Sequence, residues 1–225
     1  EQAMREANGT AAQAGQAGGG DDAENTEELR ATPLADFDFA TIPPRRWLLG
    51  RRFLGKHVTA TVAPGGVGKS TLSIEEAVSI VTGRSLTGLE VHETGPAWVF
   101  NAEDDPDELK RRTAAVCLGF DIPLSDSGQK RRLIVAEELE GAVVQSPDVD
   151  ALISEIKAHG IKLLVVDPFV RAHRVSESSN EAIDFVAQQF YRVAAETGCA
   201  INLVHHTRKP AAGTSEGQAG NMDAG

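Results

Sequence analysis

Apolar residues occur in short contiguous runs between residues 57 and 204, and stretches with helical spacing separate these runs. The runs are rich in β-branched residues and predict five strands, over residues 57–62, 97–101, 133–135, 161–166 and 199–204. The fourth run is apolar at nearly every position, which is typical of a parallel strand that is covered on both faces.

The segments between these runs predict four helices, over residues 70–82, 106–118, 146 onwards and 180–197. Gly83 closes the first helix, and Asp105 with Pro106 is a typical start for the second, with an acidic cap and proline in the first turn. Strands that alternate with helices indicate an α/β domain with a mostly parallel sheet.

Composition divides the chain into three segments. Residues 1–38 are mainly Ala, Gln, Gly and acid, with nine acidic and two basic side chains, and are predicted to be a disordered tail. Residues 39–209 are predicted to form the folded core, and residues 210–225 a flexible Gly- and Ala-rich end. The tail carries −7 of the net charge of −11, so the mildly acidic remainder neither supports nor excludes a DNA partner.

The sequence predicts a cytoplasmic protein with no membrane partner. No run approaches the roughly 18 apolar residues that a membrane span needs. The first thirty residues lack the apolar segment of a signal peptide. Cys117 and Cys199 lie in apolar segments without metal-type spacing, so we expect two buried thiols in a reducing compartment.

A glycine-rich turn between the first strand and the first helix is the strongest chemical signal. It comprises Ala63, Pro64, Gly65, Gly66, Val67, Gly68, Lys69, Ser70 and Thr71. Triphosphate oxygens need several N–H donors that converge from one side, and a tight glycine loop leading into a helix provides them. Lys69 can then contact the β- and γ-phosphates, and the Ser70 hydroxyl can ligate Mg²⁺. Ala63 stands where the strict motif has glycine, and the alternative is a loop without a ligand.

Hydrolysis also needs a carboxylate for the metal and a base for the attacking water. Asp167 directly follows the buried run 161–166, at the sheet edge where ligands bind in open α/β folds. Pro168 follows it, so the base is predicted to be Glu103, after the second strand, with Asp104 as its polar neighbour. The alternative for Asp167 is an acidic residue that ends a strand and has no further role. The alternative for Glu103 is a role in capping the helix that follows.

His205 and His206 follow the last predicted strand. Adjacent side chains of a strand point to opposite faces, and no Cys or third His is near in sequence, so zinc is disfavoured. One of the two histidines can instead sense the γ-phosphate, and the alternative is a polar strand end without a special role.

Together these motifs resemble the RepA-like hexameric helicases, which are RecA-fold ATPases related to the replicative DnaB helicases. The resemblance runs from about residue 47 to residue 209 and includes the segments 102–104, 171–174 and 197–199. It implies a three-layer RecA-like P-loop core of the AAA family of ATPases, with ATP and Mg²⁺ as cofactors. Lys69, Ser70 and Thr71 would bind phosphate and Mg²⁺, and Glu103 would activate water. Asp167 would orient the metal, and His205 or His206 would read the γ-phosphate.

The resemblance also implies a homo-oligomeric ring, a hexamer, in which a neighbour's arginine completes each site. That arginine is expected after the His-His strand, beyond Gly225, so we expect weak turnover from residues 1–225 and faster turnover from a longer chain.

Two functions remain open at this point. The first is a ring translocase on single-stranded DNA that replicates a plasmid, phage or other mobile element. Arg171, Arg174, Arg208 and Lys209 are its candidate DNA contacts, or else ordinary solvated charges, and these loops lack an aromatic stacking platform. The second is a RecA-like regulatory or recombination ATPase that acts as a nucleotide switch on a protein partner. A GTPase is disfavoured because the guanine-reading Asn-Lys-x-Asp sequence is absent.

Overall fold

A computed structural model describes residues 38–101, 103–123, 133–135, 146–173 and 180–207. The chain divides into two units, Glu1–Pro43 and Pro44–Gly225. In the first unit, the described residues form a 3₁₀ turn, Phe39–Thr41, and the Asp38 side chain accepts a hydrogen bond from the backbone N–H of Ala40. Apart from Asp38, the predicted acidic tail lies outside the described residues, as does the predicted end segment 210–225.

The second unit alternates strands and helices as the sequence predicts. In chain order its elements are β1 (Trp47–Leu49), β2 (Phe53–Leu54), β3 (Val58–Pro64), α1 (Lys69–Thr82), β4 (Ala97–Asn101), α2 (Pro106–Gly119), β5 (Leu133–Val135), α3 (Ser146–His159), β6 (Leu163–Asp167), α4 (Asn180–Thr197) and β7 (Ala200–Thr207). A 3₁₀ turn, Phe169–Ala172, follows β6. Within the described ranges, no helix has the length and apolar character needed to cross a membrane.

Five parallel strands form the main sheet, in the order β3-β7-β6-β4-β5. Because the strands are parallel, their carboxyl ends lie at one edge. The register places Ala63 beside His206, and Asn101 beside Asp167. The polar residues that the sequence singled out after separate strands therefore meet at this edge.

Helices cover both faces of the sheet. One core packs α1 and α2 against Leu163 and Val165 of β6, and the other packs α3 and α4 against Leu164 and Val166. Side chains alternate along a strand, so Asp167 continues the row that faces α1. This helix–sheet–helix arrangement confirms the predicted three-layer α/β core.

A short antiparallel hairpin, β1–β2, was not predicted. Trp47 pairs with Leu54, and Leu48, Leu49 and Phe53 are buried in the core beside α1. Two strands of two or three residues are too short to produce a recognisable alternation in sequence. The hairpin matters because its turn carries Arg52 to α1.

Both cysteines are buried and unpaired, as predicted. Cys117 lies in the core beside α1 and α2, and Cys199 lies in the core beside α3 and α4. Burial raises the pKa of the Cys199 thiol to about 12 and that of the Cys117 thiol above its usual value.

Candidate active site

The glycine turn connects the carboxyl end of β3 to the first turn of α1. Gly66 and Gly68 have φ angles of 81° and 92°, in the left-handed region that favours glycine. A Cβ at either position would meet nothing within 4 Å, so open space lies beside the turn. The first N–H groups of a helix have no partner within the helix. The turn and α1 therefore offer the backbone donors and the room that a phosphate group needs.

The Lys69 side chain is buried beside this turn, with 6% of its surface exposed. Its Nζ donates to the carbonyl oxygens of Ala63 at 2.8 Å and Pro64 at 2.7 Å. Both acceptors are at the end of β3, so the ammonium bridges the strand and the helix on either side of the turn.

Three polar side chains, from β6, β7 and the loop after β4, meet next to the turn. His206 Nε2 lies 3.8 Å from Asp167 Oδ1 and 4.0 Å from Glu103 Oε2. Asp167 is 2% exposed, whereas the Glu103 side chain is 47% exposed. His206 therefore stands between a buried carboxylate and a solvent-accessible one, and the Ser70 hydroxyl hydrogen-bonds the buried one.

Burial dominates the electrostatics of Asp167 and raises its pKa above the usual value. The Ser70 hydrogen bond, His206 and Lys69 act in the opposite direction, while Glu103 raises the pKa further. Asp167 Oδ1 and His206 Nε2 are buried without a hydrogen-bond partner within the described residues. A buried carboxylate oxygen of this kind is suited to a cation.

The oxygen ligands at this edge fit Mg²⁺. The metal prefers hard oxygen donors, and it usually takes one or two from the protein and the rest from phosphates and water. Ser70 and Asp167 supply two such donors beside the turn. In the described ranges, no group of three or more His, Cys, Asp or Glu side chains could hold a metal ion by itself.

A hydrogen-bonded clamp fixes the loop that carries Glu103. Asn101 Oδ1 accepts from the backbone N–H groups of Glu103 at 2.8 Å and Asp104 at 3.0 Å. Asn101 Nδ2 donates to Asp104 Oδ2 at 3.0 Å, and Arg112 Nη2 donates to Asp104 Oδ1 at 3.1 Å. The Asp104 carboxylate is thus held by Asn101 and Arg112, and its contacts orient the Glu103 loop.

We expect Asn101→Ala to lower the ATP turnover rate about tenfold, because three hydrogen bonds that orient the Glu103 loop are lost. Nucleotide affinity should change less than about twofold, since Asn101 makes no recorded contact with the glycine turn. Steady-state phosphate release and titration with a fluorescent ATP analogue measure the two quantities. Gln188→Ala is the control, because among the described residues its amide hydrogen-bonds Asp184 of α4 and no residue of the candidate site. Equal ATP turnover in Asn101→Ala and Gln188→Ala would contradict the role of Asn101 in orienting the Glu103 loop.

The remaining predicted residues lie as follows. Thr71 is exposed in the first turn of α1. His205 pairs with Val62 in the row that faces α4 and has no recorded ion pair or side-chain hydrogen bond in the described ranges, so the structure brings His206, not His205, to Asp167. Arg171 is exposed in the 3₁₀ turn after β6. Arg174, Arg208 and Lys209 lie outside the described residues.

A protein-family model described as an AAA domain matches residues 23–212, more than four fifths of the chain. The chain belongs to the AAA domain family. This AAA domain is a P-loop ATPase, a class of protein that binds a nucleotide. The predictions of an AAA-family P-loop ATPase and of a RecA-like α/β fold class are confirmed at this level.

Proposed function

We propose that this AAA domain is a RepA-like ring ATPase that translocates on single-stranded DNA, in the cytoplasm, during replication of a plasmid, phage or other mobile element. The observation that carries the proposal is the position of His206 between Glu103 and Asp167, beside the phosphate-binding turn. This is the set of residues on which the resemblance to RepA-like helicases rests.

In this function, each polar group has a separate task. The N–H groups of residues 65–71 and the Lys69 ammonium hold the β- and γ-phosphates of ATP. Ser70 and Asp167 would hold Mg²⁺, which would supply positive charge to neutralise the phosphates. Glu103 accepts the proton of the attacking water, because it is the more exposed carboxylate and keeps contact with solvent. His206 links the two carboxylates and can report the loss of the γ-phosphate to β7.

A ring in which a neighbour completes the site accounts for the openness of this edge. Val67, at the tip of the glycine turn, is 61% exposed, and the Glu103 side chain is 47% exposed. A site that excludes water during phosphoryl transfer needs a cover over such groups. In the proposed hexamer, an adjacent subunit supplies that cover together with the arginine that stabilises transition-state charge.

The carboxyl edge also suits contact with a nucleic acid strand. Arg171 is exposed only four residues after Asp167, so a contact at this arginine lies close to the proposed metal ligand. A strand bound there could be coupled to the state of the nucleotide. The other proposed DNA contacts, Arg174, Arg208 and Lys209, lie outside the described residues.

We expect single-stranded DNA to raise the steady-state ATPase rate at least about fivefold, with the effect falling as salt increases because phosphate contacts release counterions. Arg171→Ala should reduce the stimulation and leave the DNA-free rate unchanged. Arg51→Ala, which removes an exposed arginine from the β1–β2 turn, is the matched control. Stimulation that is absent at every salt concentration would reject the translocase and favour the nucleotide switch on a protein partner.

A further inference from the structure

Arg52 lies in the β1–β2 turn, and its side chain contacts α1, the helix that follows the phosphate-binding turn. Its Nε forms an ion pair with Glu76 Oε1 of α1. Its Nη2 donates to the Thr61 hydroxyl of β3 at 2.9 Å. The guanidinium carbon lies 5.2 Å from the centre of the Phe53 ring, which helps to fix its plane. One arginine therefore binds both the helix and the strand that the glycine turn connects.

The contacts continue from β3 to the neighbouring strand. Thr61 Oγ1 donates to Asn202 Oδ1 of β7 at 2.7 Å. Glu76 is 1% exposed and Asn202 is fully buried. We call the four residues Arg52, Glu76, Thr61 and Asn202 the Arg52 network. It joins α1, β3 and β7, the three elements that carry the proposed phosphate-binding and sensing groups.

Three members of the network each lie on the same element, and on the same face of it, as a residue of the candidate site. Glu76 follows Lys69 by seven residues, which is close to two turns of about 3.6 residues each, so both face the sheet. Thr61 precedes Ala63 by two residues in β3 and shares its face.

The same relation holds in β7. Asn202 precedes His206 by four residues, an even number, so both side chains point toward α1. A change in the contacts of the Arg52 network would therefore move α1, β3 and β7 relative to one another, and with them the side chains that surround the phosphates.

Stability alone gives no reason for a carboxylate at this depth. Burial raises the pKa of Glu76 to about 7 even though Arg52 lowers it, so the ionised form is held at a cost. Buried ion pairs can often be replaced by packed apolar side chains without loss of stability. What a paired guanidinium adds is a fixed geometry between the groups that it binds.

We propose that Arg52 is a positioning residue for ATP hydrolysis, which keeps Lys69 and Ser70 of α1 in register with Ala63 and His206 of the adjacent strands. The proposal rests on the roles proposed above for Lys69 and His206. Lys69 itself bridges α1 and β3 through the Ala63 and Pro64 carbonyls, but it must turn toward the phosphates when they bind. The Arg52 network is a separate link that can persist through that change.

Thr61→Val tests the proposal with little change in volume. It removes the hydroxyl that joins Arg52 to Asn202 and leaves the ion pair with Glu76 intact. We expect ATP turnover to fall about five- to tenfold, while affinity for magnesium–ATP stays within about twofold, because alignment rather than phosphate binding is lost. Thr61→Ser, which keeps the hydroxyl, should restore turnover.

Thr59→Val is the matched control. Thr59 lies on the same face of β3, and within the described ranges its hydroxyl hydrogen-bonds the Arg52 carbonyl alone, at 3.4 Å. Equal turnover in the two valine variants would overturn the proposal, as would a lower melting temperature with an unchanged rate.

Arg52→Lys gives an independent comparison if the valine variant is unstable, since lysine keeps the charge but cannot bind Glu76 and Thr61 with a planar fork. The same selective fall in turnover is expected, and normal turnover would overturn the proposal. Lys69→Ala, assayed in parallel, distinguishes an error in the proposed nucleotide site from an error in the proposed role of Arg52. Retained nucleotide binding by that variant would reject the site itself, whereas loss in Lys69→Ala with a normal Thr61→Val would reject only the role of Arg52.

Discussion

Replacing Lys69 by alanine is expected to weaken binding of magnesium–ATP by roughly 30- to 1000-fold, equivalent to about 2–4 kcal/mol, the usual cost of truncating one partner of a buried charge pair. Lys69 is 6% exposed, and its ammonium is hydrogen-bonded beside the glycine turn, so no other described lysine can take its place. Isothermal titration calorimetry with ATP and MgCl₂ measures the loss directly and does not depend on the turnover rate.

The control must show that the lost affinity reflects phosphate binding rather than damage to the fold. Lys69→Ala also removes two hydrogen bonds to β3 carbonyls, so its melting temperature should be measured without nucleotide. Lys56→Ala, at an exposed lysine two residues before β3, should bind as the unmodified chain does. Near-normal affinity in a folded Lys69→Ala variant would reject the proposed site.

Glu103→Gln is expected to lower ATP turnover by about 10²- to 10⁴-fold, the range usual for removal of a general base. Nucleotide affinity should be preserved, because Gln is isosteric and the backbone N–H of Glu103 can keep its bond to Asn101. Single-turnover release of labelled phosphate, with affinity from a parallel titration, separates the two effects.

Glu90→Gln is a suitable comparison for Glu103, because its side chain is 79% exposed and its recorded contact is with His92. If Glu103→Gln turned over ATP as fast as Glu90→Gln, the base would have to be sought elsewhere. A loss of both turnover and affinity would instead indicate that Glu103 holds the nucleotide.

Local patterns were sufficient to predict the main sheet. Each of its five strands is rich in apolar and β-branched residues, and Gly83 and Asp105 mark helix ends by their backbone and capping preferences. The conformation of the glycine turn could also be predicted, because it depends on a few consecutive residues, including Gly66 and Gly68 with their positive φ angles. Three strands extend beyond their predicted ends, since β3 reaches Pro64, β6 reaches Asp167 and β7 reaches Thr207.

Features that depend on contacts between distant residues were missed. The Arg52 network includes a hydrogen bond between residues that are 141 positions apart, Thr61 and Asn202, and no local pattern marks them. The hydrogen bonds that fix the Glu103 loop had one sign in the sequence. It is the polar residue Asn101, which ends the otherwise apolar strand β4. The choice between His205 and His206 required the register of β7 against β3, which decides which side chain faces α1.

The two buried cysteines make this chain convenient for spectroscopic work. Alkylating dyes react with thiolates, and burial keeps Cys117 and Cys199 protonated and shielded in the folded protein. Because the sequence has no other cysteine, a single cysteine introduced at exposed Val67 could be labelled without first removing the native ones. A fluorophore at that position would sit on the rim of the phosphate-binding turn and could follow nucleotide arrival in real time.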